Sequence, residues 1–344
     1  MHMRKMFAIL FSFLLVLSLC GCAPKKEEET PAEEPAEETS SIQVTDQIGR
    51  TVTLVRPAEK AVSTYYLVTA SMLTMGLKDK IVGVEMKANS RGLYQLAAPE
   101  LIELPGVGSG KEINVEAIAS LEPDVVFLPK KQKDAADVLE GLGIPSIVVD
   151  PETYEKFNEL ISIIGKVCGN QDKANELISY YDGVVSEVSS ATANADTPSV
   201  YIAGDSSILH TCGGGMYQRE MVEIAGGECV SAPLEGSSWT DISLEQLLEW
   251  DPEYIFVVSY AEYAIEDLLK DETLKDLRAI KENKVYMIPS KIEAWDYPQP
   301  SSVLGLYWMA GILHPDIIEE DRYIKEAASF YKNYYAIDVT DEDF

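Results

Sequence analysis

The sequence predicts an α/β protein: two Rossmann-like lobes with mainly parallel sheets, joined by one long α-helix, with a ligand cleft between them. Three observations carry that prediction. Short Val/Ile-rich runs alternate with helical segments at the spacing of βαβ units. A stretch of 15 residues recurs without gaps at an offset of 129. Between the two copies lies one uninterrupted amphipathic segment.

Residues 1–21 read as a lipoprotein signal peptide. Arg4 and Lys5 precede an apolar run of 14 residues, Met6 to Leu19, too short to span a bilayer but right for a signal core. The run ends Leu19-Cys20-Gly21-Cys22, a pattern that resembles a bacterial lipobox. Cys22 would be diacylated and become the mature N-terminus, and two acyl chains suffice to anchor a soluble protein. Residues 22–41 form an acidic tether. Positions 25–41 hold seven Glu and no large apolar side chain, so nothing there can be buried. The expected location is the outer face of a cell membrane.

The N-terminal lobe is expected over 42–170. Its buried strands are Ala61–Ser63, Ile81–Val84, Val125–Leu128 and Ser146–Val149, with helices at Val115–Leu121 and Asp134–Leu142. A linker helix follows over 171–192, where Ala174, Leu177, Ile178, Tyr181, Val184, Val185 and Val188 recur at helical spacing. The C-terminal lobe, 193–344, restarts with strands at Ser199–Ala203, Tyr254–Val258 and Val285–Ile288. The repeat aligns Ile113–Phe127 on Ile242–Phe256. Each copy reads as a capped short helix, a turn at acidic-Pro and a buried strand. Asn114 and Ser243 are the N-caps, and Glu116 and Glu245 sit in the first turn, where the helix dipole favours an acid.

Charge narrows the partners. The net charge is −29, from 28 basic and 57 acidic residues, and it becomes −31 once the signal peptide is removed. Such a field repels phosphate backbones, so no nucleic acid is expected. With three His and five Cys, no zinc cluster or disulfide scaffold is expected. Cys212 and Cys229 flank a predicted helix, which would hold their Cα atoms beyond the ~7 Å reach of a disulfide. Free thiols are therefore expected at Cys168, Cys212 and Cys229.

Three motifs together resemble the substrate-binding lipoproteins of ABC importers for metal complexes: ferric siderophores, haem and cobalamin. They are Val44–Val52 followed by Pro57 and Gly76–Val84; the repeated Glu-bearing helix before acidic-Pro; and Pro300–Trp308 with Leu313–Asp316 close behind. The resemblance runs from about residue 42 to 335. It implies a monomer that captures a metal complex, most readily a ferric siderophore, and delivers it to a permease dimer. It also implies that Glu116 and Glu245 face arginines of that permease. Cobalamin, haem and an oxyanion such as molybdate use the same scaffold.

Ligands of parallel α/β sheets gather beyond the carboxyl ends of the strands. The loops expected there carry Tyr65, Tyr66, Arg91, Lys130, Gly214, Gly215, Tyr217, Arg219, Trp239, Tyr260, Trp295 and Tyr297. Arg91, Lys130 and Arg219 with these aromatics suit an anionic, partly apolar ligand. The Gly213–Gly215 run opens a helix and is a candidate anion site, with turn geometry as the alternative. The tyrosines could stack on a macrocycle, ligate iron or pack a core. His210 is a weak candidate metal ligand; no resident cofactor is expected. No Gly-x-Ser-x-Gly, HExxH or Walker pattern occurs, so the chain is not read as an enzyme. An extracytoplasmic hydrolase and a protein-binding adhesin are the competing classes.

Overall fold

A computed structural model describes residues 41–109, 112–319 and 321–344. The signal peptide, Cys22 and nearly all of the tether lie outside the described residues. Strands β1 (Ile42–Thr45) and β2 (Thr51–Leu54) form an antiparallel hairpin. The buried Asp46 carboxylate fixes it by accepting Arg50 N–H at 2.8 Å and Val148 N–H at 3.2 Å.

The first lobe then runs β3 (Ala61–Ser63), α1 (Tyr66–Thr74), β4 (Ile81–Glu85), α2 (Gly92–Ala97), β5 (Gly106–Gly108), α3 (Val115–Ser120), β6 (Val125–Pro129), α4 (Lys133–Gly141), β7 (Ser146–Val149) and α5 (Tyr154–Val167). Its sheet has the order β5-β4-β3-β6-β7, and every pairing is parallel. All residues of β6 and β7 are buried, which is why they read as continuous apolar runs rather than alternating ones.

Helix α6 (Gln171–Thr192) is the expected linker, 22 residues long, or about 33 Å at 1.5 Å per residue. Ala174, Leu177, Tyr181, Val184 and Val188 form its buried stripe. The stripe packs on α5 and, from the second lobe, on α11 (Ser302–Leu313). The Tyr181 hydroxyl donates to the Gln299 carbonyl at 2.5 Å.

The second lobe runs β8 (Ser199–Ala203), β9 (His210–Cys212), α7 (Tyr217–Ile224), β10 (Glu228–Cys229), β11 (Trp239–Asp241), α8 (Leu244–Trp250), β12 (Tyr254–Val257), α9 (Ile265–Lys270), α10 (Arg278–Lys281) and β13 (Val285–Met287), before α11 and α12 (Arg322–Tyr335). Its sheet order is β11-β9-β8-β12-β13, with β10 also on β8. The β8, β12 and β13 pairings are parallel, whereas β9 and β11 are antiparallel. Helix α12 returns to the first lobe, where Thr74 Oγ1 donates to Tyr335 Oη at 2.8 Å.

The sequence repeat is a structural one. Asn114 Oδ1 accepts Ala117 N–H at 2.9 Å and Ser243 Oγ accepts Gln246 N–H at 3.2 Å, capping α3 and α8. Each helix leads into the strand beside β3 or β8. Before the prolines, Glu122 (φ 49°) and Asp251 (φ 39°) take the same left-handed turn at the same offset. Among the described residues, no helix is long and apolar enough to cross a membrane.

Candidate functional site

Two neighbouring cavities lie between the lobes. The larger, about 640 Å³, is walled on one side by residues at and just beyond the carboxyl ends of β3, β6 and β7: Tyr65, Tyr66, Pro129, Lys130, Lys131, Lys133, Val149, Asp150 and Glu152. The other wall comes from the second lobe: Met216, Tyr217, Gln218, Ser237, Ser238, Trp239, Tyr297 and Pro298. The position is the one expected of a parallel sheet, whose strand ends converge on the cleft. The smaller cavity, about 310 Å³, is lined by residues that include Arg91, Tyr94, Ser259, Tyr260, Lys291 and Glu293.

Tyr66 and Tyr297 line both cavities and form their party wall. Their rings meet edge-on at 5.6 Å, Tyr297 stacks on Tyr260 at 5.1 Å, and Tyr65 abuts Tyr66 at 5.3 Å. Arg91 lies over the Tyr66 ring, its Cζ 4.1 Å from the centroid, and its Nε is 4.0 Å from Glu85 Oε1. Arg91 and Tyr260 therefore belong to the small cavity, not beside Lys130 as the loop chemistry suggests.

Among the described residues, every charged side chain lining the large cavity comes from the first lobe. Lys130 is held by Asp150 at 2.6 Å. Lys131 and Lys133 are exposed and close no ion pair among the described residues. Against these three cations stand Asp150 and Glu152; burial pushes the Glu152 carboxyl up and Asp150 adds to the shift. Among the described residues the second lobe supplies apolar, hydroxyl and amide groups only, with Gln218 Nε2 bound to the Asp296 carbonyl at 2.8 Å.

The phenols are poor anions here. Burial drives Tyr65, Tyr66 and Tyr217 well above the ordinary tyrosine value, and burial pushes Tyr297 up to about 12. They enter the cleft as neutral donors and ring faces. Only a strongly charged metal bound to the oxygen would draw off the proton.

Six of the twelve expected residues line the large cavity: Tyr65, Tyr66, Lys130, Tyr217, Trp239 and Tyr297. Four line neither. Trp295 is a correction: it is fully buried, packs on Tyr323 and Phe344, and its Nε1 donates to Tyr331 Oη at 3.4 Å. Arg219 is a second, because the helical pitch of α7 carries it to Glu223 four residues on, at 2.9 Å. Gly214 and Gly215 are a third. Their N–H groups already donate to Leu234 O at 2.8 Å and Gly236 O at 2.9 Å, so they cradle no anion. The glycines are needed for close approach: a Cβ on Gly213 would sit 2.7 Å from Gly236 O, and one on Gly214 would strike Ala232 O.

His210 packs at a tilt against Trp239, ring centroids 5.7 Å apart, and its Nδ1 contacts Asp205 Oδ1 at 2.8 Å. Among the described residues no three His, Cys, Asp or Glu side chains are grouped to hold a metal. The loop chemistry alone does not single out Lys133, Ser237 or Ser238. A signal for Lys133 is present: it lies two residues after Lys131 and opens the helix following β6.

Comparison with known proteins agrees with this architecture. Residues 62–292 match the family described as periplasmic binding protein. The molybdate-binding protein MolA of Haemophilus influenzae is 26% identical over 320 residues, covering 85% of this chain and 90% of the relative. The Fe(3+)-citrate-binding protein YfmC of Bacillus subtilis is 23% identical over 83% of this chain and 90% of its own length. A periplasmic solute binding protein from Veillonella parvula superposes with a TM-score of 0.74 at 25% identity, covering 88% of this chain and 95% of that one. MolA bound to molybdate shares the fold, with a TM-score of 0.75 at 24% identity over 87% of this chain and 99% of its own. With the family matched across both lobes and the cleft between them, the chain is a solute-binding member of the periplasmic binding protein family.

Proposed function

We propose that this protein is the extracytoplasmic, lipid-anchored receptor of an ABC importer and that it captures an anionic metal complex, a ferric siderophore or ferric carboxylate. The observation that carries the reading is the large cavity itself. Its volume of about 640 Å³ falls within the range of small-molecule sites. Its wall brings three lysines into a protein of net charge −29. Local cations of that kind are what an acidic protein needs to collect an anion. The facing Tyr217, Trp239 and Tyr297 offer ring faces and donors to the organic part of a complex.

Cys22 at the lipobox-like Leu19–Cys22 would hold the protein at the membrane, with residues 22–41 as its leash, the lobes spanning 42–170 and 193–344, and helix 171–192 between them. Glu116 and Glu245, both exposed in the first turns of α3 and α8, would address the permease at equivalent positions of the two lobes. The likeness to MolA supports a second reading, an oxyanion, which would fill only part of the large cavity.

Calorimetry against ferric citrate, a ferric hydroxamate, a ferric catecholate, haemin, cobalamin and molybdate tests the reading. Binding of a ferric complex at sub-micromolar affinity is expected. Molybdate binding without any ferric complex would turn the assignment to the oxyanion, and hydrolysis of a small ester by the pure protein would replace it with an enzyme.

A further inference from the structure

Cys168, Cys212 and Cys229 are free thiols in this structure, as the sequence leads one to expect, but α7 does not hold Cys212 and Cys229 apart: the sheet brings them together. β9 and β10 occupy the same edge of β8. Cys229 pairs with Val200, and Ala203 pairs with Thr211, so continuing that antiparallel register by one residue sets Cys212 beside Ile202. Val200 and Ile202 point to one face of the sheet, and both cysteines share their core cluster, while Tyr201 and Ala203 face the other. Two residues along one edge amounts to about 6.6 Å between Cα atoms. Disulfides span Cα separations up to about 6.8 Å. The side chains close the remaining gap around one buried hydroxyl: Ser231 Oγ lies 3.4 Å from Cys212 Sγ and 3.3 Å from Cys229 Sγ.

We propose that Cys212 and Cys229 form a thiol pair that closes to a disulfide in the mature protein and clamps the wall of the cleft that carries Trp239. The clamp follows from connectivity. Cys212 is the register partner of Trp239, and the Gly213–Gly215 run that follows it is bonded to Leu234 and Gly236 on the return segment from Cys229. Residues 235–238 of that segment are exposed, so local opening there gives a reagent access to the buried thiols.

Hydrogen bonds from the Cys212 thiol and then the Ser231 hydroxyl lower the pKa of Cys229 against the opposing effect of burial, making it the attacking sulfur. The Cys229 thiolate attacks one sulfur of a small-molecule disulfide, breaking its S–S bond and expelling one thiolate. Cys212 then attacks Cys229 Sγ in the mixed disulfide, expels the second thiolate and gives it its proton. Two protein thiols are oxidised and one disulfide is reduced to two thiols. The protein lies outside the cytoplasm, where thiols meet oxidants of this class.

The test uses the full mature chain, equilibrated in its native state with oxidised glutathione at pH 7.5, then denatured, alkylated and mapped by mass spectrometry. A peptide linking Cys212 to Cys229 is expected, with Cys168 alkylated; burial pushes that thiol up to about 12, so it serves as an internal control. In the oxidised protein, amide exchange over residues 230–238 should slow at least tenfold and the thermal midpoint should rise by about 5 °C. Ser231→Ala should slow closure at pH 7 roughly tenfold by removing a donor to the thiolate. Full alkylation of both cysteines after equilibration would overturn the pairing. A linked peptide with unchanged exchange over 230–238 would overturn the clamp.

Discussion

The two lobes share one repeated motif and present different chemistry to the large cavity between them. In each, a capped helix, a left-handed acidic-Pro turn and a buried strand pack beside the lobe's leading strand, β3 or β8. The first lobe keeps an all-parallel sheet, and its cleft-facing loops are short connections that carry all the cavity's charge. The second lobe adds β9 and β11, antiparallel at the sheet edge, and its described wall of the large cavity is uncharged, while its Lys291 and Glu293 line the small one. The repeated part of the fold is thus the scaffold. The charged loops and the antiparallel edge lie in the part that is not repeated.

The largest expected effect comes from breaking the symmetry of the repeated part. Glu116 and Glu245 are exposed and line neither cavity. Reversing both to Lys should reduce cellular uptake of the ferric complex more than tenfold, with each single reversal giving a partial and similar loss. Affinity measured on the purified variants should match the unaltered protein. Intact uptake with a large loss of affinity would remove the docking role.

Next in size is the polarity of the cleft. Lys131 and Lys133 are free to meet an anion, and a charge-assisted hydrogen bond contributes about 1.5–3 kcal/mol, one to two decades of affinity. Replacing both by Ala should weaken a ferric carboxylate at least tenfold by calorimetry, with the loss larger at 20 mM salt than at 500 mM because screening shortens the field. Both are exposed, so the thermal midpoint should hardly move. Trp239→Ala, on the uncharged wall, should cost about 0.5–1.5 kcal/mol with no salt dependence. Equal salt dependence in the two variants would erase the contrast between the walls.

Much of this is legible in the sequence, and the exceptions have physical causes. Buried parallel strands announce themselves as apolar runs, and α6 through its periodic stripe; both fall within a residue or two of their expected bounds. The short edge strands β9, β10 and β11 have three residues or fewer and no pattern to read. Without them the sequence misleads around them: Cys212 and Cys229 look far apart, and Gly214 and Gly215 look like an anion cradle rather than a backbone crossing. Trp295 misleads because its loop is polar in sequence while its ring fits a pocket formed by Tyr323, Tyr331 and Phe344. The party wall of Tyr66 and Tyr297, which divides one expected cleft into two cavities, depends on tertiary packing alone.

A smaller effect separates the buried acids of the two lobes. Glu85 in the first lobe accepts from Tyr94 Oη at 2.7 Å and Thr69 Oγ1 at 2.9 Å. Glu293 in the second has neither oxygen hydrogen-bonded among the described residues; the hydroxyls of Ser301 and Tyr331 lie near it. Burial raises Glu293 from 4.5 to about 8, so the folded chain holds a proton that the unfolded chain has lost. Its contribution to stability is fully present below pH ~4.5 and is lost as pH rises through about 8. Glu293→Gln should therefore raise the thermal midpoint by several degrees at pH 8.5 and leave it nearly unchanged at pH 4.5. Glu85→Gln, which trades a charged acceptor for a neutral one, should lower it instead by a degree or two. A Glu293→Gln midpoint that falls at every pH would mean that the carboxyl is satisfied after all.

The smallest expected effect tests the equivalence of the two left-handed turns. A non-glycine residue held at positive φ costs about 1 kcal/mol, and glycine removes that strain while adding a similar entropic cost in the unfolded chain. On backbone grounds Glu122→Gly and Asp251→Gly should both be close to neutral. Asp251 also caps a neighbouring helix, since its Oδ1 accepts Arg278 N–H at 2.8 Å at the start of α10, and its Oδ2 lies 3.0 Å from Arg278 Nε. The pair is well exposed, so its ion-pair contribution is modest, but the cap adds roughly 1 kcal/mol. Calorimetric unfolding should find Glu122→Gly within ~0.5 kcal/mol of the parent and Asp251→Gly about 1 kcal/mol less stable. Equal losses at both sites would mean that the turns are held by something other than φ. Equal neutrality would mean that the bonds from Asp251 to Arg278 carry no stability, and that the two halves of the repeat are energetically the same.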